Sequence, residues 1–212
     1  MKLCFSFLAL LAFTVSASAQ QVTSNQLYRV TPEFPKYVTA HVEFRDPTGA
    51  RWPSFFYGKP ATNGLVQLNA AQPAAMFRLD CNQRPQTNGD QSRRVLGEIF
   101  DGSKKGGVGL VINGMGPIKA GLEKAGTLST TLIGILDVAG KRIPVNAPAT
   151  LRPQTGGKGD EKNESLMIDL GFEVRAGDLG LKNIDASAPI LVRAAVTAYS
   201  EAAVAAAAAR KR

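Results

Sequence analysis

Apolar and polar residues alternate through most of the second half of this chain. Over Gly126–Val138 one phase holds Leu128, Thr130, Leu132, Gly134, Leu136 and Val138. Lys141–Leu151 repeats the pattern with Ile143, Val145, Ala147, Ala149 and Leu151. Ser165–Arg175 places Leu166, Ile168, Leu170, Phe172 and Val174 in step, and Pro189–Tyr199 does so with Ile190, Val192, Ala194, Val196 and Ala198. A period of two is that of a strand with one buried face. Gly140-Lys141 predicts a tight hairpin turn, and Thr155–Glu164 predicts an exposed loop.

The first half repeats the signal in shorter pieces. Tyr37–Arg45 sets Val38, Ala40, Val42 and Phe44 against Thr39, His41, Glu43 and Arg45 before a turn at Asp46–Gly49. Arg51–Gly58 carries Trp52, Phe55, Phe56 and Tyr57, and reads as an edge strand or a loop folded over a barrel mouth. Leu65–Asn69, Ala75–Cys81 and Val108–Asn113 are further strands, with Phe77, Leu79 and Cys81 on one face. Arg84–Gly107 predicts loop with one helical turn around Val95–Phe100, and Pro117–Lys124 predicts a short helix or loop. Repeated short strands separated by turn signals define an all-β class, a sandwich or a barrel. The expected fold is an antiparallel β-barrel of about eight strands with a short helix or two.

The ends read differently. Lys2, the apolar run Phe5–Val15 and Ala17-Ser18-Ala19 form a cleavable export signal over 1–19, with a mature chain from Gln20. The run is too short to span a bilayer, and no later segment is apolar for long enough. Residues 20–200 are expected to form the barrel domain. Glu201–Arg212 (EAAVAAAAARKR) is helix-prone but marginal at this length, and is expected to be a frayed or disordered tail.

Charge and cysteine usage narrow the functional classes. The chain has 25 Lys+Arg against 17 Asp+Glu, a formal net charge of +8. The basic residues are scattered, unlike the dense stripe of a nucleic-acid binder, so no nucleic-acid partner is expected. Weak contact with an anionic membrane surface is compatible with this charge. Cys4 leaves with the signal, and the remaining Cys81 has no intramolecular partner.

Little points to catalysis. His41 is the one histidine, and it falls on the polar phase of its strand. A hydrolase triad or a histidine metal site would have to use it. Cys81 shares the phase of Phe77 and Leu79, which suits a buried, inert thiol. Asp80, Glu98, Asp101 and Glu123 have no spacing that pairs them. Gly102–Gly109 (GSKKGGVG) lacks the order of a phosphate loop. No metal, no catalytic residue and no enzyme activity are therefore expected.

Three segments carry a resemblance. Gly126-Thr127-Leu128 leads into Leu132-x-Gly134-x-Leu136-x-Val138-x-Gly140 and then Pro144-Val145. Phe172-x-Val174-Arg175-x-x-Asp178-Leu179-Gly180-Leu181 follows, and Ser92-Arg93-Arg94 with Ile99-Phe100-Asp101 adds a weaker third. These motifs resemble those of the YceI-like family, best over 126–199 and less closely over 88–112. The resemblance implies a periplasmic, lipocalin-like barrel that binds a polyisoprenoid, a quinone-like molecule or another long-chain lipid.

A barrel of this size is either filled by side chains or holds one small ligand. Small inward residues (Ala40, Gly134, Ala147, Ala149, Ala194, Ala198) would leave room for such a chain. They would equally accommodate tight packing against bulky neighbours. The candidate lumen residues are Phe77, Leu79, Leu110, Leu132, Leu136, Leu170, Phe172 and Val192, each of which core packing also explains. Arg175 and Asp178 are expected to form a surface or turn-stabilising ion pair. The alternative to a lipid carrier is a structural or interaction β-domain of the cell envelope with no small ligand, and the oligomeric state stays open.

Overall fold

The structure, a computed structural model, describes residues 26–32, 40–45, 54–69, 71–81, 107–120, 126–156, 163–181 and 185–209. Its strands are β1 (Gln26–Val30), β2 (Ala40–Arg45), β3 (Ser54–Pro60), β4 (Gly64–Leu68), β5 (Ala74–Cys81), β6 (Val108–Met115), β7 (Lys119–Ala120), β8 (Leu128–Val138), β9 (Lys141–Gly156), β10 (Asn163–Arg175) and β11 (Pro189–Ser200). Two short helices are α1 (Ala176–Leu179) and α2 (Glu201–Ala209).

Every strand pairing is antiparallel, and the pairings close on themselves. One edge of β11 carries β10, and the other carries β2 at Leu191–Val196 and β1 at Tyr199–Ser200. One edge of β5 carries β6, and the other carries β3 at Leu79–Asp80 and β4 at Ala74–Met76. β1 with β2, and β3 with β4, therefore act as two staves, each broken once. With β5, β6, β8, β9, β10 and β11 they complete an eight-stave barrel in simple up-and-down order. The break between β3 and β4 is a local bulge across β5, held by Ala61 N–H donating to the Arg78 carbonyl at 2.9 Å. Closure removes the free edges that an open sheet of this length would expose.

The alternation seen in the sequence becomes the inside and outside of the wall. β5 runs exposed–buried from Ala74 to Cys81, and β8, β9, β10 and β11 bury the apolar phase identified above. Side chains from all the main staves meet in one apolar cluster. Cys81 is buried in it.

Several elements differ from the sequence expectation. β1 was not expected, because Leu27–Val30 offers too short an alternation to stand out, yet Tyr28 and Val30 are buried. Within Pro117–Lys124, expected to be a short helix or loop, Lys119–Ala120 is strand, paired with Leu128–Ser129. The hairpin turn is Ala139–Gly140, one residue earlier than expected, because both residues take positive φ (52° and 82°) and Val138 pairs with Lys141. The tail is helical over Glu201–Ala209 rather than frayed. Three local ties explain it: Ser200 Oγ accepts from the Ala203 N–H at 3.3 Å, Arg29 pairs with Glu201 at 2.7 Å, and Ala203 is buried. An N-cap and one buried residue give an alanine run the help that length denies it.

Gly134 overturns part of the small-residue argument. A Cβ placed there would collide with the Val111 carbonyl oxygen and crowd Ile112. The β6–β8 register slips between Ile112 and Gly114, so β6 lies against Gly134 and fills the place of its side chain. Residues 1–25 and 82–106, Trp52 and the side chains of His41, Phe55, Phe56 and Tyr57 lie outside the described residues.

Two substitutions test this description by urea denaturation. Gly134→Val is expected to cost about 1–3 kcal/mol or more by forcing β6 away; an unchanged midpoint would contradict the packing described. Ala139→Asn is expected to stabilise by about 0.5–1 kcal/mol, since asparagine tolerates the left-handed conformation that alanine resists. A destabilised variant would contradict the turn geometry.

Candidate functional site

The staves β9 and β10 do not stay paired along their length. β8 and β9 run together from Val138↔Lys141 to Leu128↔Leu151, and β10 and β11 from Arg175↔Pro189 to Ser165↔Tyr199. Between them, β9 and β10 pair from Asn163↔Gly156 only as far as Leu170↔Ala149. Beyond that point Gly171–Arg175 and Lys141–Pro148 part, although each keeps its other neighbour. The barrel wall has a slot at this place, opening toward the rim that carries the Ala139–Gly140 turn.

The sequence of β9 accounts for the slot. Pro144 and Pro148 have no N–H to give, and Pro148 stands where the ladder to β10 would take its next step past Ala149. Because the β8 edge of β9 is paired without interruption, the missing donors fall on the edge that faces the slot. In the closed half the pair is clasped on the outside by Arg152, whose guanidinium meets the Asp169 carboxylate.

The slot widens into a cleft of about 440 Å³, within the roughly 300–1,000 Å³ typical of small-molecule sites. Ile143 and Pro144 of β9 form one side, and Val174 of β10 and Pro189 of β11 form the other. Four polar residues share the lining: Glu173, Arg175, Asp178 and Ser187. α1 holds Asp178 at the rim. It is anchored by buried Ala176 and Leu179, by Ala176 N–H donating to Ala188 O at 2.9 Å, and by Lys141 Nζ donating to Leu179 O at 2.8 Å. Gly180 closes the helix at φ 79°, the left-handed conformation expected of a glycine stop.

The eight candidate lumen residues are all buried on the inner face and belong to one cluster. Register sets Leu79, Leu110 and Leu136 in one row across β5, β6 and β8, and Phe172 beside Val192 across β10 and β11. Their exposure is graded. Leu79, Leu110, Leu136 and Val192 have 0%, whereas Val145, Ala149, Leu170, Phe172 and Val174, which flank the slot, keep 4–7%. Ala147 among them is sealed. Two of the candidates, Leu170 and Phe172, therefore stand at the slot, while the sealed four lie in fully packed surroundings.

The expected ion pair between Arg175 and Asp178 is not formed. Both side chains line the cleft without a hydrogen-bond or ion-pair partner among the described residues. Sequence reading did not assign Glu173, Ser187, Ile143 or Pro144 to a site. The available signal was the spacing of prolines in β9, which marks a strand edge that cannot be fully paired. Among the described residues, no three His, Cys, Asp or Glu side chains are placed to share a metal ion, and no helix is long and apolar enough to cross a membrane.

No family model matches this chain, and no curated protein does. Among solved structures it is similar to BcnA of Burkholderia cenocepacia, with 13% identity and a TM-score of 0.47 over 74% of this chain and 95% of that one. It is also similar to a mutant CJ YCEI protein made for nanotechnology applications, with 13% identity and a TM-score of 0.45 over 95% and 94%. A third is a polyisoprenoid binding domain from Saccharophagus degradans implicated in plant cell wall breakdown, with 10% identity and a TM-score of 0.42 over 84% and 99%.

Ser187 borders the cleft and fixes the turn beside it. Its N–H and its hydroxyl both donate to Asp185 Oδ1, at 2.8 and 2.7 Å, and hold that carboxyl below its ordinary 3.8. A depressed value favours the folded state above the unfolded pKa, and that contribution is lost as pH falls through the folded value. NMR titration is expected to find Asp185 below 3.8, and Ser187→Ala is expected to move it upward by removing the hydroxyl donor. An unmoved Asp185 would contradict this turn.

Proposed function

We propose that this protein is a periplasmic lipid-binding or carrier protein, with a long-chain isoprenoid or similar amphiphile held by the barrel. The observation that carries the reading is the residual exposure of apolar inner residues along the slot, from Ala149 and Leu170 to Val174. Val174 at the end of that row also lines the cleft of about 440 Å³, which supports the reading. Each methylene moved from water into such surroundings contributes about 0.8 kcal/mol, so binding needs no metal or catalytic group. The motif resemblance over 126–145 and 172–181 and the export-signal pattern at the start of the chain support the same reading.

A second reading has its own observation. Leu79, Leu110, Leu136 and Val192 touch no water-sized space, which favours a solid β-domain serving structure or interaction. Native mass spectrometry of the mature protein from its own periplasm, followed by organic extraction, separates the two. A stoichiometric long-chain adduct is expected. A bare mass that persists after incubation with envelope lipids would overturn the carrier reading in favour of the solid domain.

A further inference from the structure

We infer that the slot between β9 and β10 is the seat for the polar end of the ligand, and that it selects an uncharged, hydroxyl-bearing end over a phosphate. The inference rests on the carrier reading above. The site is part of the wall rather than an incidental groove, because both flanking strands stay fully paired on their far sides while Pro144 and Pro148 remove two donors from the β9 edge of the slot.

The lining divides by chemistry. Ile143 and Val174 are partly or wholly buried against the core and face an apolar chain. At the outer end stand one guanidinium (Arg175), two carboxylates (Glu173 and Asp178) and one hydroxyl (Ser187). The carboxylates accept and the Arg175 guanidinium donates, while the Ser187 hydroxyl proton is already given to Asp185, which suits a hydroxyl that gives one hydrogen bond and takes another. The charge count of the lining is negative by one. A phosphate would gain Arg175 but meet two carboxylates of its own sign of charge. A molecule seated this way lays the start of its chain against Ile143 and Val174 and leaves its polar end at the rim.

The test is calorimetric titration of the full mature chain with farnesol and with farnesyl monophosphate at low ionic strength. Farnesol is expected to bind on the order of tenfold more tightly than the phosphate. The double variant Glu173→Gln/Asp178→Asn is expected to strengthen phosphate binding on the order of tenfold while leaving farnesol within about threefold. Removing two carboxylates at the far rim, Glu164→Gln/Glu201→Gln, controls for net charge and is expected to leave the ratio unchanged. Equal binding of both ligands, or a far-rim variant that acts as strongly as the slot variant, would overturn the seat while leaving the carrier reading in place. Failure of both ligands to bind would overturn the two together.

Discussion

Closure of the hydrogen-bonded ring is the constraint on which this molecule depends. A backbone group on a strand edge must find a partner or stay in water. Eight staves in meander order satisfy nearly all of them by returning β11 to β1 and β2. The inner face then has one place to go, and the alternating apolar residues of all staves converge on a common core. One departure is the parting of β9 and β10 after Leu170↔Ala149, where two long strands each keep a full ladder on their other side.

The departure is tolerated because it is confined. Each of the two strands keeps one full ladder, to β8 and to β11, so neither is left as a free ribbon. α1 and the turn at Asp185–Ala188 brace the open end through backbone hydrogen bonds and through Lys141 reaching the Leu179 carbonyl. The open end is thus tied to both flanking strands.

Much of the fold was legible in the sequence because the period of two survives wherever a strand has one face in the core. The four long staves β8 to β11 announced themselves this way. β1 did not, since five residues cannot establish a period, and α2 did not, since its cap at Ser200 and its tie to Arg29 depend on tertiary placement. The site was less legible. The apolar candidates were correctly placed inside, yet which of them approach a cleft depends on where a ladder stops, and that follows from Pro148 meeting a particular register with β10. Gly134 shows the same limit: a small residue can mark space for a ligand or the close approach of a carbonyl, and the strand slip beside it decides.

The open slot is tested most directly by amide hydrogen exchange resolved along β10. Amides of Gly171–Arg175 that point toward β9 are expected to exchange orders of magnitude faster than those pointing toward β11, and faster than the β9-facing amides of Leu166–Leu170. Uniform protection across both edges of β10 to Arg175 would contradict the account, since it would mean that the wall closes through to its rim and leaves no slot.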